Sequence, residues 1–168
     1  MTIHIRPEQP QDIDTITKLT AEAFLHEPHS SRTEQFIVNA LRRDGQLFVS
    51  LVAEDDNRII GHVAISPVTI SSGETGWYGL GPVSVWPDRH KQGIGSQLMK
   101  AALAELQRLG GLGCVVLGDP GYYGRFGFNT SSTLVLLGTP AEYFQAVSFG
   151  PELPVGIVSY HEAFNAKE

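Results

Sequence analysis

A single cysteine among 168 residues, Cys114, leaves no intramolecular disulfide to form. It sits in the apolar run Cys114-Val115-Val116-Leu117, which reads as a buried strand and gives the thiol a packing role rather than a nucleophile's. No apolar stretch approaches the ~20 residues that span a bilayer, and Met1-Thr2-Ile3-His4-Ile5-Arg6 contains no signal-peptide hydrophobic segment. A cytoplasmic chain with no membrane partner is therefore expected. Basic residues are in deficit, 12 against 18 acidic, and the net charge of −6 argues against a broad nucleic-acid surface. No Cys/His cluster accompanies His26-x-x-His29, so a polar loop is expected there and no metal site. Internal repeats, low-complexity segments and a dividing linker are all missing, and the length suits one domain with a real core.

What is present centres on residues 79–108, GLGPVSVWPDRHKQGIGSQLMKAALAELQR. An apolar β-branched run (Leu80, Val83, Val85) breaks at Pro87 and passes through a polar turn into Gly93-Ile94-Gly95. A helical pattern follows, with Ile94, Leu98, Ala101 or Ala102, Leu106 and Leu109 at helical spacing, and Gly110-Gly111 ends it. Strand, glycine turn and helix together can hold a phosphate, because a helix start offers unsatisfied N–H groups and glycines let the backbone approach an anion. The nucleotide variants of this device do not fit. There is no Gly-x-x-x-x-Gly-Lys-[Ser/Thr], and Gly93-x-Gly95 lacks the third glycine of a dinucleotide fingerprint, since position 98 is leucine.

Val85-x-Pro87-x-x-His90-x-x-Gly93-x-Gly95 resembles motif A of the GCN5-related N-acetyltransferase (GNAT) superfamily, V-x-P-x-x-[QR]-x-x-G-x-[GA]. It departs from that pattern at His90, where Gln or Arg is usual. Tyr122-Tyr123-Gly124-Arg125-Phe126-Gly127-Phe128 is similar to the family's Y-x-x-x-G-F segment. With Leu117-Gly118-Asp119-Pro120, the likeness runs to the YhbS-like bacterial branch of predicted acetyltransferases. The resemblance covers residues 3–150, expected as one domain with residues 151–168 as a tail carrying a last strand. It implies an α/β fold with a mixed central sheet of about six to seven strands, a splayed parallel pair and flanking helices.

The rest of the chain can be read in order. Residues 3–6 alternate as a short strand. Asp12 is expected to cap a helix running to Phe24 with an Ile13, Ile16, Leu19, Ala23 stripe. Ser31 and Glu34 have capping-box spacing for a second helix ending at Gly45. Strands are expected over 47–54 and 58–69, joined by Asp55-Asp56-Asn57, then over 75–85 and 114–117. The last two are linked by a helix and so should pair in parallel. Further on, 134–137 reads as a strand, 140–149 has helical character around Tyr143 and Phe144, and 156–160 is a final β candidate. Pro151 and Pro154 interrupt the tail, which is a candidate homodimer surface.

The resemblance implies acetyl-CoA as co-substrate and an amine, small-molecule or peptide, as acceptor, joined by direct attack in a ternary complex. It assigns cofactor contacts to Val83, Ser84 and Val85 along the strand and to His90, Lys91, Gln92, Gly93, Ile94, Gly95 and Ser96 at the turn. Lys91, Arg89 and Arg125 are local cations for the CoA phosphates. Tyr123 matches the tyrosine that protonates the departing thiolate; the other reading is aromatic packing with Tyr122 around Phe126 and Phe128. Glu22 and Glu27 are candidates for the general base or else solvated carboxylates, and the net charge favours a cationic acceptor. His62 reads as a core or edge histidine, and Trp77 and Tyr78 either line an acceptor pocket or pack. The other function class is a CoA-binding sensor with reduced catalysis, which the departure at His90 and the short segment before Tyr123 permit. A binder of phosphate ligands without pantetheine is a third reading.

Overall fold

The computed structural model describes residues 2–28 and 30–168. In chain order its elements are β1 (His4–Pro7), α1 (Ile13–Phe24), α2 (Glu34–Arg43), β2 (Val49–Asp55), β3 (Arg58–Ile70), β4 (Trp77–Val85), α3 (Ile94–Arg108), β5 (Gly113–Leu117), α4 (Pro120–Tyr123), β6 (Asn129–Thr130), β7 (Leu134–Val135), β8 (Phe144–Ser148) and β9 (Gly156–Tyr160). The main sheet runs β1-β2-β3-β4-β5-β8-β6, with β9 joined to the far end of β3 and β7 to β9. Within the main sheet β4 and β5 form the parallel pair, as a strand-helix-strand connection requires.

Alternation along the strands assigns the two faces. Val49, Leu51 and Ala53 of β2 pack with Val63, Ile65 and Leu80 against Ile94, Leu98, Ala102 and Leu106 of α3. Val52 points the other way, into Ile16 and Leu19 of α1 and Val38 of α2. The helical stripe of α3 is thus buried as its spacing predicts, except that Leu109, beyond the last turn, is exposed.

Two irregularities open β4. Its register against β3 passes from Val63↔Val83 to Ile65↔Leu80, so Gly81 and Pro82 stand opposite the single residue Ala64 in a bulge. Its parallel ladder with β5 covers only Trp77–Gly79 against Gly113–Val115. From Leu80 to Val85 that edge carries no ladder partner among the described residues.

Partly buried charge knits the opposite end. Arg42 of α2 donates to both oxygens of Glu8 (2.8 and 2.7 Å), Ser50 of β2 also donates to Glu8, and His62 of β3 lies 2.8 Å from Ser50 Oγ. The serine proton goes to the carboxylate, so Nε2 of His62 donates to Ser50 and Nδ1 keeps a lone pair that is buried without a partner. Burial drives the His62 pKa down to about 4, so the ring is neutral at pH 7. Burial alone would raise the Glu8 carboxyl, but hydrogen bonds from Arg42 and Ser50 outweigh it and hold it below its usual range.

Several local expectations differ from the structure. Asp12 does not cap α1 through its side chain; its carboxylate accepts the Gln9 N–H (2.7 Å) and pairs with Arg6 (2.7 Å), which holds its pKa low. Ser30 rather than Ser31 reaches Glu34 (2.7 Å), because Ser31 is taken up by Thr33. The helical character expected around Tyr143 and Phe144 amounts to a 3-10 turn, Ala141–Tyr143. Phe144 starts β8, which finds its hydrogen bonds on β5 and β6, partners that local spacing does not report. Of residues 134–137 only two form a strand, and the short β6 was not expected.

Candidate active site

The free edge of β4, the turn after it and the start of α3 form one wall of a cleft of about 460 Å³. The end of α1 (Ala23, Phe24) with Glu27, and Tyr122, Tyr123 and Arg125 around α4, complete the lining. Lys91 and Gly93 adopt left-handed backbone (φ 64° and 78°), which turns the chain sharply into the helix; glycine takes this conformation without strain, lysine does not. Gly93 is the N-cap and has no side chain to spend on the helix amides. The first of these to find a backbone acceptor is Gln97, on Gly93 (3.1 Å), which leaves the N–H groups of Ile94, Gly95 and Ser96 for a ligand. Three amides and the positive end of a fifteen-residue helix make an anion site.

His90 stitches this turn to the strand. Its Nε2 lies 2.9 Å from the Val85 carbonyl oxygen, and since a carbonyl only accepts, that nitrogen carries the ring proton. Arg89 lines the cleft too, but its guanidinium is held by Asp55 (2.7 Å) and Gln92 (3.0 Å). Lys91 is exposed at the mouth.

Tyr123 is half-buried in the opposite wall. Its ring packs on Gly118, where a Cβ would approach to 2.5 Å, and meets Tyr122 and Phe128 edge-on, with centroids 5.0 and 6.1 Å apart. Burial pushes its hydroxyl pKa up to about 12, with Tyr122 and Asp119 adding to the rise, so the group is a proton donor throughout the neutral range. Asp119 caps the four-residue α4 by accepting the Gly121 N–H (2.9 Å).

Of the positions singled out from the sequence, Val83, Val85, His90, Lys91, Gly93, Ile94, Gly95, Ser96 and Tyr123 meet in this cleft. Ser84 and Gln92 are not in the lining: alternation turns Ser84 to the α1 face, buried with an unpartnered Oγ, and Gln92 is bonded to Arg89. Glu22 is exposed outside the lining, whereas Glu27 is its one carboxylate. His26 is exposed, and His29 lies outside the described residues. Trp77 is buried and Tyr78 stacks on Phe48 (4.5 Å), so both pack. Cys114 is fully buried, which drives its thiol pKa up and keeps it unreactive. Ser50, His62 and Glu8 touch one another, but the carboxylate holds the serine rather than the far ring nitrogen, the reverse of a hydrolytic triad.

Two contributors were not legible beforehand. Tyr122 brings its hydroxyl against Gly95 and carries the Arg125 guanidinium over its ring (4.5 Å). Phe24 enters from the end of α1. Nothing in local spacing signals either, because each meets α3 only through the fold.

Comparisons with known proteins agree with this geometry. Residues 4–131 match the family described as Acetyltransferase (GNAT) domain. The uncharacterized N-acetyltransferase YhbS of Escherichia coli K12 is 36% identical over 169 residues, covering 96% of this chain and 98% of the relative. A GNAT family acetyltransferase from Brucella melitensis, solved in complex with acetyl-CoA, is 48% identical over 97% of this chain and 98% of its own, with a TM-score of 0.87. The structure of E. coli YhbS in complex with CoA is 35% identical over 97% and 92% of the two chains, with a TM-score of 0.89. The parallel pair that parts at Gly79 and the bare helix start beside it are those of a GNAT acetyltransferase, the family to which this chain belongs.

Proposed function

We propose that the protein transfers the acetyl group of acetyl-CoA to an amine, by direct attack within a ternary complex. The observation that carries this reading is the joining, in one cleft, of unpartnered amides at the α3 start, an unladdered strand edge and a protonated tyrosine. The Ile94, Gly95 and Ser96 amides suit a diphosphate, and Lys91 and Arg125 stand by for its charge. The edge from Leu80 to Val85 offers backbone groups to the amide-bearing pantetheine arm. A backbone N–H there would polarise the thioester carbonyl, a donor worth roughly 10²–10³ in rate in comparable sites.

In the transfer, the amine lone pair forms the new C–N bond at the carbonyl carbon as the C–S bond breaks. The ammonium proton leaves to water, and the thiolate takes a proton from Tyr123, which is later replenished from solvent. Cys114 is too deeply buried to form an acetyl-enzyme. Glu27, facing the cleft opposite the cationic turn, is suited to attract the amine.

A free-thiol assay with acetyl-CoA against a panel of amines and N-terminal peptides tests this, with calorimetry following CoA. Thiol release that depends on Tyr123 is the expected result. Tight CoA binding with no turnover on any acceptor would instead favour a CoA-sensing module, and comparable binding of nucleotides without pantetheine would favour a general phosphate binder.

A further inference from the structure

Tyr122 is half-buried in the wall of the cleft that faces the start of α3, and the transfer described above gives it no part. Its hydroxyl oxygen lies 3.2 Å from where a Cβ would stand on Gly95, the second residue of α3, which puts it beside the first helical turn. A methyl group there would press on the hydroxyl, so glycine at this position leaves room for Tyr122 as well as for an anion. No hydrogen bond takes up that hydroxyl among the described residues.

The ring is held from several sides. It meets Tyr123 and Phe126 edge-on, with centroids 5.0 and 5.4 Å apart, and carries the Arg125 guanidinium 4.5 Å from its own centroid. Nε of Arg125 donates to the Tyr122 carbonyl oxygen (3.3 Å), so the two terminal nitrogens of the guanidinium have no partner among the described residues. A donor already fixed in position loses little freedom on binding, and its hydrogen bond is strongest where the acceptor is charged.

We infer that Tyr122 is a cofactor-binding residue: its hydroxyl donates to the diphosphate that the Ile94, Gly95 and Ser96 amides take, with Arg125 meeting the charge from the same side. This rests on the acetyl-transfer reading above, which puts the diphosphate on that turn. Held between α3 and α4, the diphosphate is gripped from both walls of the cleft. Tyr122 therefore selects cofactors by their phosphates, while the proton for the sulfur comes from its neighbour Tyr123.

Calorimetry on wild type and Tyr122→Phe tests this with three ligands: acetyl-CoA, adenosine diphosphate, which has the diphosphate without the arm, and S-acetylpantetheine, which has the arm without phosphate. Phenylalanine keeps the ring, its edge contacts and the platform under Arg125, so the variant loses the hydroxyl alone. Affinity for acetyl-CoA and for adenosine diphosphate should fall about tenfold, while that for S-acetylpantetheine holds. Gly95→Ala should weaken acetyl-CoA binding more in the wild-type background than beside Tyr122→Phe, because the added methyl acts in part by displacing the hydroxyl. The inference is overturned if Tyr122→Phe binds acetyl-CoA as the wild type does, or if S-acetylpantetheine weakens in step, as a packing role requires. Losses from Gly95→Ala and Tyr122→Phe that simply add would overturn it too. Every arm reads binding, so a wild type that releases no thiol with any amine would overturn the acetyl-transfer reading while these affinities still decide the role of Tyr122.

Discussion

Glu8, Arg42, Ser50 and His62 are joined by hydrogen bonds to one another, with Arg42 also donating to Asn39, whereas the amides of Ile94, Gly95 and Ser96 and the far edge of β4 have no partner among the described residues. Both regions are polar and both flank the same pair of strands, β3 and β4. In the first, charge is withdrawn from water and must be matched internally, which ties β2, β3 and α2 into one unit. In the second, donors line a cleft and stay unmatched among the described residues, the groups to which the proposed function assigns the cofactor. Stability and binding capacity are therefore held by separate polar groups, and a mutation in one region should leave the property of the other largely intact.

The strongest way to break the comparison is Glu8→Ala, which strands the Arg42 charge at a site where the Glu8 side chain is only 16% exposed. Losing the charged acceptor of a partly buried, doubly hydrogen-bonded pair costs about 2–3 kcal/mol. Denaturant unfolding should show this loss, while the fraction that remains folded still binds acetyl-CoA.

Acid should act on the same region. The His62 pKa drops from 6.5 in the unfolded chain to about 4 in the fold, so as pH falls the unfolded chain takes the proton first. The stabilisation is present above pH 6.5 and is lost as pH falls toward 4, a change of about 3 kcal/mol. Glu8 and Asp12, both held low, lose their share in the same direction below their ordinary carboxylate range. Unfolding midpoints measured from pH 7 to 4 should fall steeply, and a His62→Gln variant should flatten the upper part of that descent.

On the cleft side, Tyr123→Phe should lower kcat about a hundredfold with little change in melting temperature or in acetyl-CoA binding. A thermal shift as large as that of Glu8→Ala would join the two regions and undo the comparison. His90→Ala should act more gently, since its bond to the Val85 carbonyl is exposed: acetyl-CoA affinity falls about fivefold as the turn loosens, with kcat preserved. His90→Gln retains a donor and should recover most of the loss.

The glycine turn was legible because it rests on local chemistry. Pro87, Gly93 and the stripe of Ile94, Leu98, Ala102 and Leu106 specify a strand, a turn and an amphipathic helix through contacts only a few residues apart. The Tyr123 segment was legible as a motif, but its approach to the helix start was not, since α4 reaches α3 only when β5 lies beside β4. The spacing around Tyr143 and Phe144 misled for the same reason. The hydrogen bonds that make β8 a strand lie on β5 and β6, and pairing across the chain overrides a weak local preference.

By itself, then, the sequence determined the order of strands and helices as far as β5, the glycine turn at the start of α3 and the lack of a reactive cysteine, all consequences of neighbouring residues or of composition. Only the tertiary structure decided which polar groups are matched and which are left open. Glu8 and His62 are 54 positions apart, Tyr160 and Gly79 are 81, and Tyr122 and Gly95 are 27, and the sheet register and helix packing alone bring each pair together.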